Sequence, residues 1–177
     1  MKNTHPKPSK FISHFVKVSG ALLAGLFASN VAARHLCLES EAVAFSMQNS
    51  KTGKFASVCK GKGDDYLVYR FGLPKKIELQ FPSVLNESSW QLFTFYGVRR
   101  PGGKEESGFG HYWLSFTNRG TEYILFQDWN YEDDSYAIWL DVQLKGKTVR
   151  IVGNPRTQIG SLVPLDFYRE RMFEGNR

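Results

Sequence analysis

The sequence contains few of the residues that build catalytic and metal-binding sites. Its 177 residues include two cysteines and four histidines, and His111 is the only histidine well inside the chain. A structural zinc site needs four ligands, and the nearest pair, His35 and Cys37, has no second pair elsewhere. The serines near His111 have no arranged third partner, and no spacing selects a pair of carboxylates. We therefore predict no catalytic residues, no metal and no cofactor.

The sequence also lacks an apolar run long enough to cross a bilayer as a helix. The uncharged stretch 18–33 has a markedly apolar part of 11 residues, whereas a spanning helix needs about 20. Lysines precede this stretch and small residues end it, which is the layout of a secretory signal peptide. We predict a signal peptide at 1–33 and one mature domain at 34–177, periplasmic or secreted and without a membrane span.

Most of the excess of positive charge disappears once that segment is removed. The formal net charge of the whole chain is +6, but four of the 23 basic residues and none of the 17 acidic residues lie in 1–33. The mature chain thus has 19 basic and 17 acidic residues. A nucleic-acid or anionic-lipid partner loses its main support, because polyanions are bound by a concentrated basic surface.

The two cysteines, Cys37 and Cys59, predict one disulfide. Export places them in an oxidising compartment, and each has one other cysteine to pair with. The bond would tie the start of the mature domain to the strand that contains Cys59, and closing a loop of that length stabilises by roughly 3 kcal/mol. The alternative is a reactive thiol with His35 or His111 as its base.

Alternation of apolar and polar residues predicts an all-β fold. The stretch "DYLVYRFGLPKKIELQFP" (65–82) gives two half-buried strands joined at 72–74. Similar patterns before and after it, including a strand that starts at Trp90, bring the total to eight or nine strands without a helix between them. We predict an antiparallel meander over 34–153, closed as a small barrel or folded as a sandwich.

The clearest hairpin is "HYWLSFTNRGTEYILFQDW" (111–129). Tyr112, Leu114 and Phe116 alternate on one face of its first strand, and 118–120 predicts a three-residue turn whose glycine takes the left-handed position. Only the C-terminal segment, 161–174, breaks the strand pattern.

That segment predicts a short helix packed against the sheet. Pro164 stands where a first helical turn tolerates proline, and apolar residues follow at intervals of about three and four. The alternative is an amphipathic helix that docks onto another surface. The spaced residues are Leu165, Tyr168, Met172 and Phe173.

Several of these blocks resemble a family. "SVC", then "YLVYRFGLPKKIELQFP" and later "LSFTNRGTEYILF" are similar to a group of small exported bacterial β-proteins of unknown function, in which a YRFG block precedes a KIEL-type strand. The resemblance covers about 37–152, and it implies the fold and the export but no activity. Members carry further cysteines near the positions of Met47 and Val152, which implies that this chain has lost a second disulfide as a pair.

A glycine-rich segment, "RRPGGKEESGFGH" (99–111), is the candidate binding loop. It has no Gly-Lys-Ser/Thr triplet and no strand-to-helix transition, so a phosphate cradle is disfavoured. The alternatives are a mobile hairpin tip and a recognition loop. Ser107-Gly108 with Tyr112 resembles the Ser-Gly-x-x-Tyr element of periplasmic inhibitors of c-type lysozyme, with one extra residue in the spacing. The candidate binding residues are Arg99, Arg100, Ser107, Gly108, His111 and Tyr112.

The four tryptophans allow two interpretations. They predict core and edge packing, because the alternating residues beside them need aromatic cover. The alternative is that they line a site for a sugar or another ligand. The four are Trp90, Trp113, Trp129 and Trp139.

Taken together, these patterns favour a protein that binds and does not catalyse. We predict an exported envelope protein with a protein partner, and an inhibitor or immunity protein that acts on a hydrolase is one form of it. The alternative is a structural or ligand-binding accessory that holds a lipid or glycan. Oligomeric state is not predicted.

Overall fold

Residues 34–103 and 107–173, described here from a computed structural model, form an antiparallel sheet of nine strands. The predicted signal peptide, 1–33, lies outside these residues. Three short 3₁₀ helices, Lys62–Asp64, Glu87–Leu92 and Val163–Arg171, connect or follow the strands. The strands are β1 (Ala42–Asn49), β2 (Phe55–Lys60), β3 (Leu67–Leu73), β4 (Lys76–Phe81), β5 (Thr94–Arg100), β6 (Phe109–Asn118), β7 (Thr121–Asn130), β8 (Ser135–Leu144) and β9 (Lys147–Gly160).

The strand order is β4-β3-β2-β1-β9-β8-β7-β6-β5, so the sheet consists of two meanders that join through the pairing of β1 with β9. The sheet curls into a half-barrel. The curl brings β4 close to β6, where the ring of Phe81 stacks on that of Phe116 with centroids 4.4 Å apart. The all-β prediction is confirmed, and β4 and β5 are the two ends of the sheet.

The 3₁₀ helix Glu87–Leu92 lies between these two ends. Trp90 and Phe93 are fully buried there, and the ring of Phe93 meets that of Phe81 edge to face at 5.5 Å. The strand predicted to start at Trp90 therefore starts later, at Thr94. The reason is local, since the side chain of Asn86 accepts a hydrogen bond from the Ser88 amide and begins a helical turn.

β9 continues to Gly160, seven residues beyond the predicted end of the sheet at 153. Its first half pairs with β8 and its second half with β1, with a register shift around Pro155. Within the shift, the Thr157 hydroxyl accepts a hydrogen bond from the Gln48 amide and donates one to the Asn154 carbonyl. A side chain thus replaces missing ladder bonds, which explains why proline does not end the strand.

The C-terminal segment is helical, as predicted, in the 3₁₀ form over Val163–Arg171 with Pro164 in its first turn. Leu165 and Met172 are buried, whereas Phe173 is 60% exposed. The amide of Phe173 bonds to the Phe93 carbonyl and the chain forms a bridge with Thr94, so this segment covers part of the edge of β5.

Two hairpins turn through two residues at positive φ. Arg119 and Gly120 have φ of 51° and 76°, and Lys145 and Gly146 have 50° and 75°. Both residues of a type I′ turn need such angles. The three-residue turn predicted at 118–120 is therefore wrong by one residue, because Asn118 belongs to β6.

Gly160 is a position where a side chain is excluded. Its φ is +71°, and a Cβ atom there would lie 2.3 Å from the Ala44 carbonyl oxygen. We expect Gly160→Ala to lower the free energy of unfolding by more than about 1 kcal/mol. Gly120→Ala is the matched control, since its φ is +76° and nothing lies within 4 Å. Equal losses in urea denaturation would show that φ alone, and not the contact with β1, decides the effect.

The N-terminal segment 34–41 covers the outer face of β1–β3. The Leu36 amide donates to the Ser57 hydroxyl, which bonds to the Ser46 hydroxyl at 2.8 Å. Cys37 and Cys59 form the predicted disulfide, with Cα atoms 5.5 Å apart.

Arg70 of the YRFG block and Glu41 form a buried ion pair beneath the segment. These contacts give the motif residue Arg70 a structural role.

Candidate functional site

The predicted binding residues of the β5–β6 loop do not share one surface. Arg99 and Arg100 end β5 and are exposed, and the Arg100 guanidinium donates to the Ser107 carbonyl at 2.9 Å. Arg100 also lies over the ring of Phe109, 5.3 Å from its centroid. The Gly108 carbonyl accepts a hydrogen bond from the Tyr131 amide, which joins this loop to the β7–β8 turn.

Tyr112 must be removed from the predicted binding set. Its side chain is 2% exposed and lies on the inner face of β6, where it stacks on Trp129 with ring centroids 5.4 Å apart. Successive residues of a strand point to opposite faces, so the neighbouring His111 lies on the outer face. Ser107 and Tyr112 therefore do not form one exposed element of the kind that the lysozyme-inhibitor analogy needs.

The outer face of β5–β9 carries a continuous line of apolar side chains. Each member is the direct cross-strand partner of the next, so the line runs straight across five strands. Its aromatic members are half-buried, and Val152 at its end is 52% exposed. We call this line the aromatic row; it consists of Tyr96, Trp113, Phe126, Trp139 and Val152.

The rings of the aromatic row stack on one another. Tyr96 and Trp113 have centroids 5.7 Å apart at 18° between planes, and Phe126 and Trp139 have 4.6 Å and 13°. The Arg150 guanidinium lies 4.9 Å from the Trp139 centroid. The rings thus stack in two pairs, and one face of each ring is occupied by its neighbour, so less flat aromatic surface is left for a partner.

Two hydrogen-bonded polar pairs flank the aromatic row. On one side, His111 Nδ1 lies 2.8 Å from Asp128 Oδ1. On the other, the Arg150 guanidinium donates to both oxygens of Asp141, at 2.8 and 2.7 Å.

The two carboxyl groups differ in their electrostatics. Hydrogen bonds from the Arg150 guanidinium hold the pKa of Asp141 below its ordinary value, despite burial. Burial raises the pKa of Asp128, and the neighbouring His111 only partly opposes this effect. The surroundings thus favour the charged form of Asp141 and disfavour the charged form of Asp128.

His111 and Asp128 alone do not make a nucleophilic site. The side chains that flank the pair across the strands are Val98 and Ala137, which carry no hydroxyl or thiol. A histidine oriented by a carboxylate activates a nucleophile only when one lies within hydrogen-bond reach. The arrangement supplies a polar border to the aromatic row.

One group of atoms has the spacing of metal ligands. Sγ of Cys37, Sγ of Cys59 and a carboxylate oxygen of Glu41 lie within 4.8 Å of one another. Both sulfurs are used by the disulfide, and the carboxylate is held by Arg70. These residues therefore form part of the structural contact of segment 34–41.

Within residues 34–103 and 107–173, no helix is both long and apolar enough to span a membrane. Comparison of the chain with protein-family models, with curated proteins and with solved structures gives no match.

The structure separates the four tryptophans, which the sequence presents as one set, into two pairs. Trp113 and Trp139 lie on the outer face in the aromatic row, whereas Trp90 and Trp129 lie on the inner side with the core. Alternation within β6 already separates Trp113 from Leu114 and Phe116. The alignment of the row across five strands depends on register, which the sequence does not show.

Proposed function

We propose that this protein is an exported binding protein that docks onto a protein partner in the cell envelope through the aromatic row. The single observation that supports the proposal is the unbroken line of apolar side chains across β5–β9, on a face that nothing else in the described residues covers. Aromatic residues are enriched at the cores of protein interfaces, and polar residues at their rims. The flanking pairs His111–Asp128 and Arg150–Asp141 match that layout.

The geometry of the rings favours a protein over a glycan at this face. A sugar ring stacks on the flat face of an aromatic side chain, and Tyr96 on Trp113, Phe126 on Trp139 and Arg150 on Trp139 leave less of that flat surface open on this face. Ring edges, with the aliphatic Val152 at the end of the row, suit the side chains of a protein surface. An inhibitor or immunity protein that acts on an envelope hydrolase is one form that the proposed activity takes.

The proposed location has independent support. The disulfide Cys37–Cys59 is the kind of bond that persists in oxidising compartments. The sequence of 1–33 has the layout of an export signal. Together they favour a partner that is itself in the periplasm or outside the cell.

A charge placed in the aromatic row tests the proposal. Val152 is 52% exposed at one end of the row and Val98 is 39% exposed beside its other end, so a glutamate at either position costs little in folding. We expect Val152→Glu to weaken partner binding at least tenfold, because a charge in the row is desolvated at the interface. Val98→Glu, in the polar border beside His111, should weaken it less. The measurement is capture of envelope proteins by the oxidised mature chain, followed by affinity determination for the captured partner.

Val149→Glu is the matched control, since Val149 is 61% exposed on β9 but lies on the strand positions that alternate away from the aromatic row. It should bind as the unmodified protein does. Equal capture by all three variants would contradict the proposal. A further variant replaces residues 101–107 by a flexible linker. If only this variant loses capture, the binding surface is the β5–β6 loop and not the aromatic row.

A further inference from the structure

A second site lies apart from the aromatic row, beside the β7–β8 turn. It is a pocket of about 360 Å³, at the lower end of the range for small-ligand sites. Of its strand residues, Gln127, Trp129 and Tyr136 lie at inner-face positions of β7 and β8, opposite to the row, and Ser135 lies at the first, outer-face position of β8. The lining residues are Gln127, Trp129, Tyr131, Asp134, Ser135 and Tyr136.

The aromatic walls of this pocket are held in place. Trp129 stacks on the buried Tyr112 at 12° between ring planes, and it lies across Gly110, where a Cβ atom would be 2.1 Å from Cζ2 of the indole. The hydroxyl of Tyr136 donates to Oε1 of Gln158 at 2.6 Å. Side chains fixed before binding lose little conformational entropy when a ligand enters.

The floor of the pocket is a buried amide. Oε1 of Gln127 accepts hydrogen bonds from the Leu162 amide at 2.7 Å and from the Ser161 hydroxyl at 3.0 Å. Gln127 is only 4% exposed, so these two bonds fix the orientation of its side chain. The pocket is thus connected to the start of the C-terminal segment as well as to the hairpin.

Several polar groups of the lining have no partner in the described part of the chain. They include the indole N–H of Trp129, the hydroxyl of Tyr131 and the carboxylate of Asp134, none of which makes a hydrogen bond there. They offer both donors and an acceptor to a ligand. Lysine and arginine are absent from the lining residues, so an anionic ligand would find no counter-ion.

We propose that this pocket binds one or two rings of an uncharged saccharide. A sugar ring has an apolar C–H face, which packs against aromatic side chains, and a rim of hydroxyls that both donate and accept hydrogen bonds. The lining supplies both kinds of surface. A quaternary ammonium group would use the aromatic side chains and Asp134 but would leave the donors of Trp129 and Tyr131 unused.

Titration of the purified, oxidised mature protein tests this proposal. The probes are trimers of N-acetylglucosamine and of glucose, with choline chloride as the cationic comparison, and the signal is tryptophan fluorescence together with calorimetry. We expect at least one trimer to bind. Tyr131→Ala and Asp134→Asn should each weaken that binding at least tenfold, and neither substitution threatens folding, since Tyr131 is 66% exposed and asparagine tolerates the φ of +51° at Asp134.

Phe167→Ala provides the matched control, because Phe167 is an aromatic residue that is 90% exposed outside the pocket. It should bind the trimers unchanged. The proposal fails if neither trimer binds at about 10 mM, if choline binds and the trimers do not, or if Tyr131→Ala and Asp134→Asn bind as Phe167→Ala does.

Discussion

Replacing Arg70 by leucine is expected to lower the free energy of unfolding by about 3–5 kcal/mol, because the substitution leaves a buried carboxylate without its counter-ion. The Arg70 guanidinium donates to both oxygens of Glu41, at 2.6 and 2.8 Å, and the side chains are 4% and 0% exposed. Urea denaturation of Arg70→Leu beside the unmodified protein measures the loss.

Both oxygens of the Glu41 carboxylate are hydrogen-bonded in the native protein, so the expected loss in free energy of unfolding is large. Its carboxylate also accepts hydrogen bonds from the Leu38 amide and the Tyr66 hydroxyl, and Arg70 donates further to Gln80 and to the Leu36 carbonyl. Removal of one partner breaks this network at its centre, and the remaining groups do not replace a positive charge.

Two variants control the interpretation. Lys54→Leu breaks an exposed pair with Glu78, 32% exposed on each side, and should cost less than about 1 kcal/mol. The double variant Glu41→Leu/Arg70→Leu removes both charges, so it should recover part of the loss seen with Arg70→Leu. A loss in Arg70→Leu no larger than that in Lys54→Leu would refute this account of the pair.

The same pair predicts an acid-sensitive fold. Burial acts to raise the pKa of Glu41, but the hydrogen bonds from Arg70, Leu38 and Tyr66 outweigh it and place the pKa below the ordinary value of 4.5. A depressed carboxyl pKa contributes stability that is complete above the ordinary value and is lost as pH falls through the lower one. The advantage of the unmodified protein over Glu41→Leu/Arg70→Leu should therefore shrink in acid.

Removal of the disulfide is the second large effect that we expect. The double variant Cys37→Ser/Cys59→Ser should lose about 3 kcal/mol, within the usual range of 2–5, because the unfolded chain regains the freedom of a loop with a sequence separation of 22. Denaturation in urea with and without reductant gives the same comparison for the unmodified chain. A midpoint that does not change with reductant would show that the bond does not stabilise the fold.

The disulfide and the ion pair fasten the same segment, 34–41, onto β1–β3. Their contributions to the free energy of unfolding should therefore be coupled, since loss of one contact loosens the segment and reduces the stabilisation that the other contact provides. We expect the triple variant Cys37→Ser/Cys59→Ser/Arg70→Leu to lose less free energy of unfolding than the sum of the losses in Arg70→Leu and in Cys37→Ser/Cys59→Ser. Additive losses would mean that the two contacts act on different parts of the structure.

Local patterns predicted much of the fold because they depend on neighbours in the chain. Alternation of side chains identified the strands, and the pairing of Cys37 with Cys59 followed from their number and the expected compartment. The same alternation placed Tyr112 with Leu114 and Phe116 on one face, so its burial could have been predicted from sequence. Including Tyr112 in the binding set overlooked that signal.

Other features depend on residues that are distant in sequence. β9 was predicted too short, because its second half pairs with β1 and Thr157 supports the register shift there. The late start of β5 is an exception, since Asn86 begins a local helical turn. Glu41 meets Arg70 across 29 positions, and no pattern in either local segment indicates that contact.

By itself, the sequence determined the class of fold, the face that each strand presents and the covalent link between its two sulfurs. Only the tertiary structure decided that β9 joins the two meanders, that five strands align Tyr96 with Val152 in one row, and that Trp129 and Tyr136 line a pocket on the other side. The reason is that strand alternation is a property of one backbone segment. Register and curvature arise from the packing of all nine strands at once.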